Sequence, residues 1–161
     1  MQQSGYGTIV VRPHPLQFIV NELLLMLLTA AGFMAAGLEG SEYSDLMFML
    51  SSFCLILLTY KLIYLRKMEF RISGEQLISE HGVFTRNSDY IELYRVVDFR
   101  EHRSFFQQVF GLKTVSIYSG DRTTPRLDII GVNDRMELVA YIRERVEYNK
   151  RRKGIYEITN R

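Results

Sequence analysis

The stretch LQFIVNELLLMLLTAAGFMAAGL, Leu16 to Leu38, carries one charge, Glu22, in 23 residues. Wound as a helix at about 1.5 Å per residue it is about 35 Å long, enough to cross a hydrocarbon core of about 30 Å with some tilt. A second run, Leu46 to Leu65, has 20 residues and a single charge, Lys61, one turn from its end. Between them lies Glu39-Gly40-Ser41-Glu42-Tyr43-Ser44-Asp45, three acids and no base, which reads as the polar loop of an antiparallel hairpin. Residues 16–65 therefore predict a transmembrane helical hairpin, preceded by a polar cytoplasmic lead over residues 1–15.

The Lys and Arg bias sets the orientation. Arg12 precedes the first span, and Lys61, Arg66 and Lys67 close the second, so both termini are expected on the cytoplasmic side of a bacterial inner membrane. The competing reading is a cleaved signal peptide, for which Ala30-Ala31-Gly32 and Ala35-Ala36-Gly37 supply small residues after an apolar core. Against it stand the polar lead, the Asn21-Glu22 pair inside the run and the second span directly after. Glu22 is either an interfacial carboxylate or half of an intramembrane pair with Lys61, which the hairpin brings to a similar depth. Gly32 and Ala36 form a small-xxx-small step for close helix–helix packing, within the hairpin or between copies in an oligomer.

From residue 68 to the end the chain is of another kind, with 16 basic and 14 acidic side chains. Residues 66–153 have the size of one small cytoplasmic domain, followed by a tail, residues 154–161. Short segments rich in Val, Ile, Phe and Tyr predict strands over residues 68–73, 76–84, 88–93, 94–100, 113–118 and 126–130. Turns are expected at Ser73-Gly74-Glu75 and Ser119-Gly120-Asp121-Arg122. The period then changes. Met136, Val139, Ile142 and Val146 recur at helical spacing, Asp134 and Glu137 are spaced as a capping box, and the helix should stop before Gly154. The fold class is α+β, a two-helix hairpin followed by a bent antiparallel sheet with a C-terminal amphipathic helix.

Function classes narrow by composition. A net charge of +2 argues against a nucleic-acid partner. The single Cys54 rules out an intramolecular disulfide or a multi-cysteine zinc site. His14, His81 and His102 have no His or Cys at ligand spacing, and no nucleotide-binding, zinc-protease or nucleophile-elbow motif occurs. No catalytic residue, metal or cofactor is expected, and the chain reads as non-enzymatic. Two places suit contacts instead. Arg100, Arg103 and Lys113 lie beside Phe105, Phe106, Val109 and Phe110, which either fill a small core or line a groove for a partner segment. Lys150-Arg151-Arg152-Lys153 is either a solvated helix end or a contact for anionic headgroups.

The order Gly82-Val83-Phe84-Thr85-Arg86, Ile91-Glu92-Leu93, Arg95-Val96-Val97-Asp98 and Phe110-Gly111-Leu112-Lys113-Thr114-Val115 resembles bacterial pleckstrin-homology-like (PH) domains that follow two transmembrane helices. The resemblance covers about residues 66 to 150. Glu92 stands where a Pro is common in that family, Lys113 where a second Gly is, and Gln108 where an Arg is frequent. The resemblance implies a strongly bent antiparallel sheet or partly open barrel of about seven strands, plugged at one end by the C-terminal helix. Phosphoinositide-binding relatives use bases in the loop joining the first two strands. Here that loop is read as Ser73-Gly74-Glu75, which has none. The expected function is a scaffold that recruits a protein partner or assembles as a homo-oligomer at the bilayer. A lipid- or small-anion-responsive sensor or membrane effector is the alternative.

Overall fold

The computed structural model describes residues 6–38 and 42–155. The first five residues of the expected lead, Glu39 to Ser41 of the expected loop, and the tail beyond residue 155 lie outside the described residues. The chain opens on a strand, β1 (Ile9–Val11), and then enters the two helices, α1 (Leu16–Ala36) and α2 (Ser44–Lys67). Four strands and a 3-10 turn follow in quick succession: β2 (Glu69–Ile72), β3 (Gln76–His81), β4 (Asn87–Glu92), the 3-10 turn at Leu93–Arg95, and β5 (Val96–His102). A short helix, α3 (Phe105–Val109), leads into β6 (Leu112–Ser119) and β7 (Arg126–Asn133), and α4 (Leu138–Arg152) closes the chain.

All strands pair antiparallel, in a four-stranded sheet of order β1-β2-β3-β4 and a three-stranded sheet of order β5-β6-β7. Their inner faces and one face of α4 enclose the core. Phe70, Leu77, Ile91, Ile117, Ile129 and Ile142 are among the side chains fully excluded from solvent. The resemblance implied one bent antiparallel sheet or a partly open barrel of about seven strands with a helical plug; the structure has seven strands, divided between two antiparallel sheets, and the C-terminal helix.

The first strand is not where the sequence placed it. Ile9 to Val11, read as part of a polar lead, pairs with β2 in the register Ile9↔Ile72, Val10↔Arg71, Val11↔Phe70. Val11 is buried, and Arg12 donates to the Glu69 carboxylate at 2.8 Å. Hydrogen bonds from Arg71 and then Arg12 hold the Glu69 carboxyl below its ordinary range. The helical hairpin is therefore inserted between the first and second strands of the domain. Consequently the connection between those strands is the hairpin itself, and not Ser73-Gly74-Glu75, which joins β2 to β3.

Both crossings between domain and hairpin are short. Arg12-Pro13-His14-Pro15 joins β1 to α1, and Met68 alone joins α2 to β2. Buried polar contacts reinforce them. Gln107 of α3 donates to Thr114 at 2.8 Å and to Gln17, in the first turn of α1, at 3.0 Å. The His14 amide donates to the Gly131 carbonyl at 2.9 Å. Gly131 has φ +64°, and a Cβ there would collide with the Gln17 side chain, so only glycine lets β7 approach the helix this closely. The domain is mounted on the hairpin and not hung from a linker.

Within the hairpin, Gly32 faces Ser51 of α2 so closely that a Cβ would run into the Ser51 hydroxyl. Ser44 donates to the Ala36 carbonyl at 2.6 Å. The small-residue step is thus used by the chain's own second helix. Lys61 bonds both carboxylate oxygens of Glu22, at 2.7 and 2.9 Å, with the Glu22 side chain 14% exposed and Lys61 49%. Replacing Lys61 with Leu strands the carboxylate, and a loss of about 1–3 kcal/mol is expected after discounting for the half-exposed ammonium. The Glu22→Leu, Lys61→Leu double variant should recover most of that loss. Unfolding titrations in mixed micelles check both.

One local expectation is corrected. The Asp134–Glu137 capping box is absent, because α4 starts only at Leu138 with Glu137 at its N-cap and no side-chain cap. Asp134 instead forms an ion pair with Arg103, 2.7 Å between the charged atoms. A capping box does form at α3, where the Ser104 hydroxyl accepts from the Gln107 amide and the Gln107 side chain accepts from the Ser104 amide. The C-terminal stop is as expected: Gly154 ends α4, with the Ile155 amide donating back to the Lys150 carbonyl at 2.9 Å and folding Ile155 against the helix.

Candidate functional site

In the three-stranded sheet β5 is an edge, with β6 on one side and, among the described residues, no strand on the other. Strand β5 begins at buried Val96, and a register shift follows at Val97. That irregularity turns Val97 outward, where it is 69% exposed. The amide of Phe99 donates to the carboxylate of its neighbour Asp98 at 2.7 Å. An edge strand with a charged side chain closing its own amide is protected against indiscriminate pairing.

Across from this edge runs α4. Between the two lies a groove of about 290 Å³. Val96, Phe99 and Val146 form its apolar floor, and Ile155, 41% exposed, stands at its end. Arg143, Lys150 and Arg151 line it with positive charge, balanced by Asp98 and Glu147. Arg143 lies over the Phe99 ring, 5.8 Å from its centre, which orients the guanidinium at the rim. An unpaired strand edge beside an apolar trough with basic walls can take an extended segment: its backbone adds to β5, and an apolar side chain reaches the floor.

The expected contact residues are dispersed by the structure. Arg100 is exposed on β5 opposite Ser116. Arg103 is engaged with Asp134. Lys113 is 2% exposed and gives its ammonium to Glu101 at 2.8 Å, so it belongs to the interior and is corrected as a contact residue. The phenylalanines at 105 and 106 do not fill the core. Phe105 is 73% exposed and Phe106 42%, because Gln107 is the side chain that α3 turns inward.

The basic run Lys150–Lys153 is likewise drawn into the domain. Arg152 bonds Glu75 at 2.7 Å, and that hydrogen bond, then the carboxylate's charge, raises the Arg152 pKa. Arg151 reaches Glu147 at 3.4 Å, and Lys153 lies 3.9 Å above the Tyr94 ring. Asn149 donates to the Gly74 carbonyl, so the helix end sits at the β2–β3 turn. That turn lies beyond all four residues of β2, about 13 Å of strand from the end of α2. The run flanks the groove and is remote from the point where the chain leaves the hairpin. Val97, Phe99 and Arg143 were missed in the sequence because Val96-Val97 reads as one apolar pair until the register shift separates its two sides.

The charged series Asp98, Arg100, Glu101, His102 and Arg103 does not converge, since its members are strung along β5 and its following turn. Among the described residues no group of three or more His, Cys, Asp or Glu is placed to hold a metal ion.

The family model for bacterial PH domains matches residues 18–146, well over half of the chain. The chain is a member of the bacterial PH domain family. No match was found among curated proteins or among solved structures. The matched residues take in both long helices as well as β2 to β7 and most of α4, so in this PH domain the hairpin is part of the family pattern. Strand β1 lies outside the match and completes the first sheet nonetheless.

Proposed function

We propose that this PH domain protein is a non-catalytic recruitment module of the bacterial inner membrane, in which the hairpin crosses the bilayer and the groove between β5 and α4 receives an extended segment of a membrane-protein partner. The observation that carries the reading is the open β5 edge facing an apolar, basic-walled groove on a domain rigidly mounted on two apolar helices. Support for the crossing comes from length and exposure. Of the most apolar windows of α1 and α2, only 6% and 11% are buried within the chain, unlike the core helix of a soluble fold. Arg12, Lys61, Arg66 and Lys67 all gather at the domain end, which favours that end as cytoplasmic. Cleavage after α1 would remove β1 from the first sheet, which argues against a signal peptide.

Partner choice follows from the groove's chemistry: an apolar anchor for Phe99 and Val146, flanked by carboxylates for Arg143 and the α4 bases. Mounting at the bilayer raises the effective concentration of the groove for other membrane proteins, so modest contacts suffice. For the sensor alternative the run counts for less at two of its four bases, since Arg152 is held by Glu75 and Lys153 lies over the Tyr94 ring.

The test places a photo-crosslinking benzoylphenylalanine at Val97 of the full chain in its native membranes, with Arg122 on the β6–β7 turn as control. An adduct with another membrane protein is expected at position 97 alone, and Arg143→Glu should reduce it at least several-fold. Adducts that are equal at both positions, or indifferent to Arg143→Glu, overturn the groove as the recruitment site.

A further inference from the structure

Two exposed apolar features have no role in the groove. The first is Phe84 at the tip of the loop between β3 and β4. It is 90% exposed, yet its ring stacks on Tyr60 of α2, with centres 6.1 Å apart and planes 15° from parallel. Tyr60 precedes Lys61, so Phe84 lies at the depth of the Glu22–Lys61 pair. The second is the outer face of α3, where Phe105, Phe106 and Val109 are 73%, 42% and 65% exposed. Its inner face is pinned through Gln107 to Gln17 in the first turn of α1. Gln17 is five residues before Glu22, about 7 Å nearer the domain along the helix.

The two features adjoin different helices of the hairpin, Phe84 on α2 and α3 on α1. Cations are close by in the chain: Arg86 two residues after Phe84, and Arg66 and Lys67 at the end of α2. Exposed aromatic rings beside the ends of spanning helices that carry Lys and Arg match the headgroup–acyl boundary, where amphipathic groups bury about 5–10 Å deep. The occupant of both surfaces is argued from continuity: they extend sideways the surface that the hairpin itself presents at that depth.

We propose that Phe84 and the Phe105–Phe106–Val109 face are two feet that seat the PH domain on the bilayer surface, one on each side of the hairpin. The seat rests on the reading that the hairpin crosses the membrane. With two short crossings and two apolar feet, the domain has one orientation, and the groove stands on its cytoplasmic side at a fixed height.

The chain contains no tryptophan, so a single introduced Trp reports from one place. Full-length protein is reconstituted in phosphatidylcholine vesicles with or without lipid brominated near the carbonyl end of the acyl chains. Four variants are compared: Phe84→Trp, Phe105→Trp, Leu28→Trp within α1, and Tyr94→Trp at the far 3-10 turn. Shallow brominated lipid is expected to quench Trp at positions 84 and 105 at least twofold and to leave position 94 unchanged. Position 28 separates the two readings, since lipid brominated deep in the chain must quench it if the hairpin is inserted. Quenching at 28 with either foot as insensitive as position 94 overturns the seat alone. No quenching at 28 overturns the membrane crossing, and the seat with it.

Discussion

Residues 68–155 expressed alone are expected not to fold, whereas Tyr6–Arg12 joined to Glu69–Ile155 through an Asn-Gly turn should give a folded domain without its helices. The register Val11↔Phe70 brings Arg12 opposite Glu69, and a two-residue Asn-Gly loop closes such an antiparallel pair in a type I′ turn. Omitting β1 gives up the burial of Val11, about 1.5–3 kcal/mol, and its ladder hydrogen bonds at about 1 kcal/mol each, on the order of 3–5 kcal/mol together. Domains of this size are stable by only about 5–15 kcal/mol in all. Thermal unfolding followed by circular dichroism compares the two proteins. A cooperative transition of 68–155 at the same temperature as the joined protein would show that β1 is an ornament and not a strand of the domain.

Arg145→Ala is expected to destabilise the joined domain by about 2–4 kcal/mol, a cost typical of losing a buried hydrogen-bonded side chain. Among the described residues Arg145 is the largest fully enclosed side chain, 2% exposed although charged. Its guanidinium donates to the Gly7 carbonyl at 2.9 Å and to the Tyr141 hydroxyl. It also lies over the rings of Tyr141 and Tyr6, 3.5 and 4.8 Å from their centres. One side chain thus fastens the N-terminal segment to α4. The effect should be strongly non-additive with loss of that segment: in a chain lacking residues 6–8, Arg145→Ala should cost less than half as much. Denaturant titrations of the four proteins in this cycle give the coupling. Additive losses would mean that Arg145 acts within α4 alone.

Much of the architecture is legible in local pattern. The two apolar runs, the strand-rich middle and the amphipathic last helix all have the repeat or the length that defines them, and the structure places elements over each. Gly154 and its stop are legible for the same reason, since a helix end is a local event. Ser104-Phe-Phe-Gln107 carries a capping signature that could have announced α3, but two adjacent phenylalanines weigh toward the core in any reading by hydrophobicity.

The site is less legible. Lys113 sits in the sequence among contact candidates, and its burial follows only from Glu101 arriving on the neighbouring strand. Phe84 reads as one more apolar residue of a strand, and its exposure follows from β3 ending at His81. The basic run Lys150–Lys153 reads as a free cationic patch until Glu75 and Tyr94, far away in the chain, come to meet it.

By itself the sequence determined that two helices long enough to span a bilayer precede a small β-rich domain closed by a helix, because hydrophobic length and period are properties of neighbouring residues. Tertiary structure alone decided that Ile9–Val11 belongs to that domain, that the hairpin is an insertion within it, and that the open edge of β5 faces α4. A three-residue strand has no period to read, and an edge is defined by which strand fails to arrive. Both depend on contacts between residues distant in the chain, whose free energy is realised only when the whole sheet has formed.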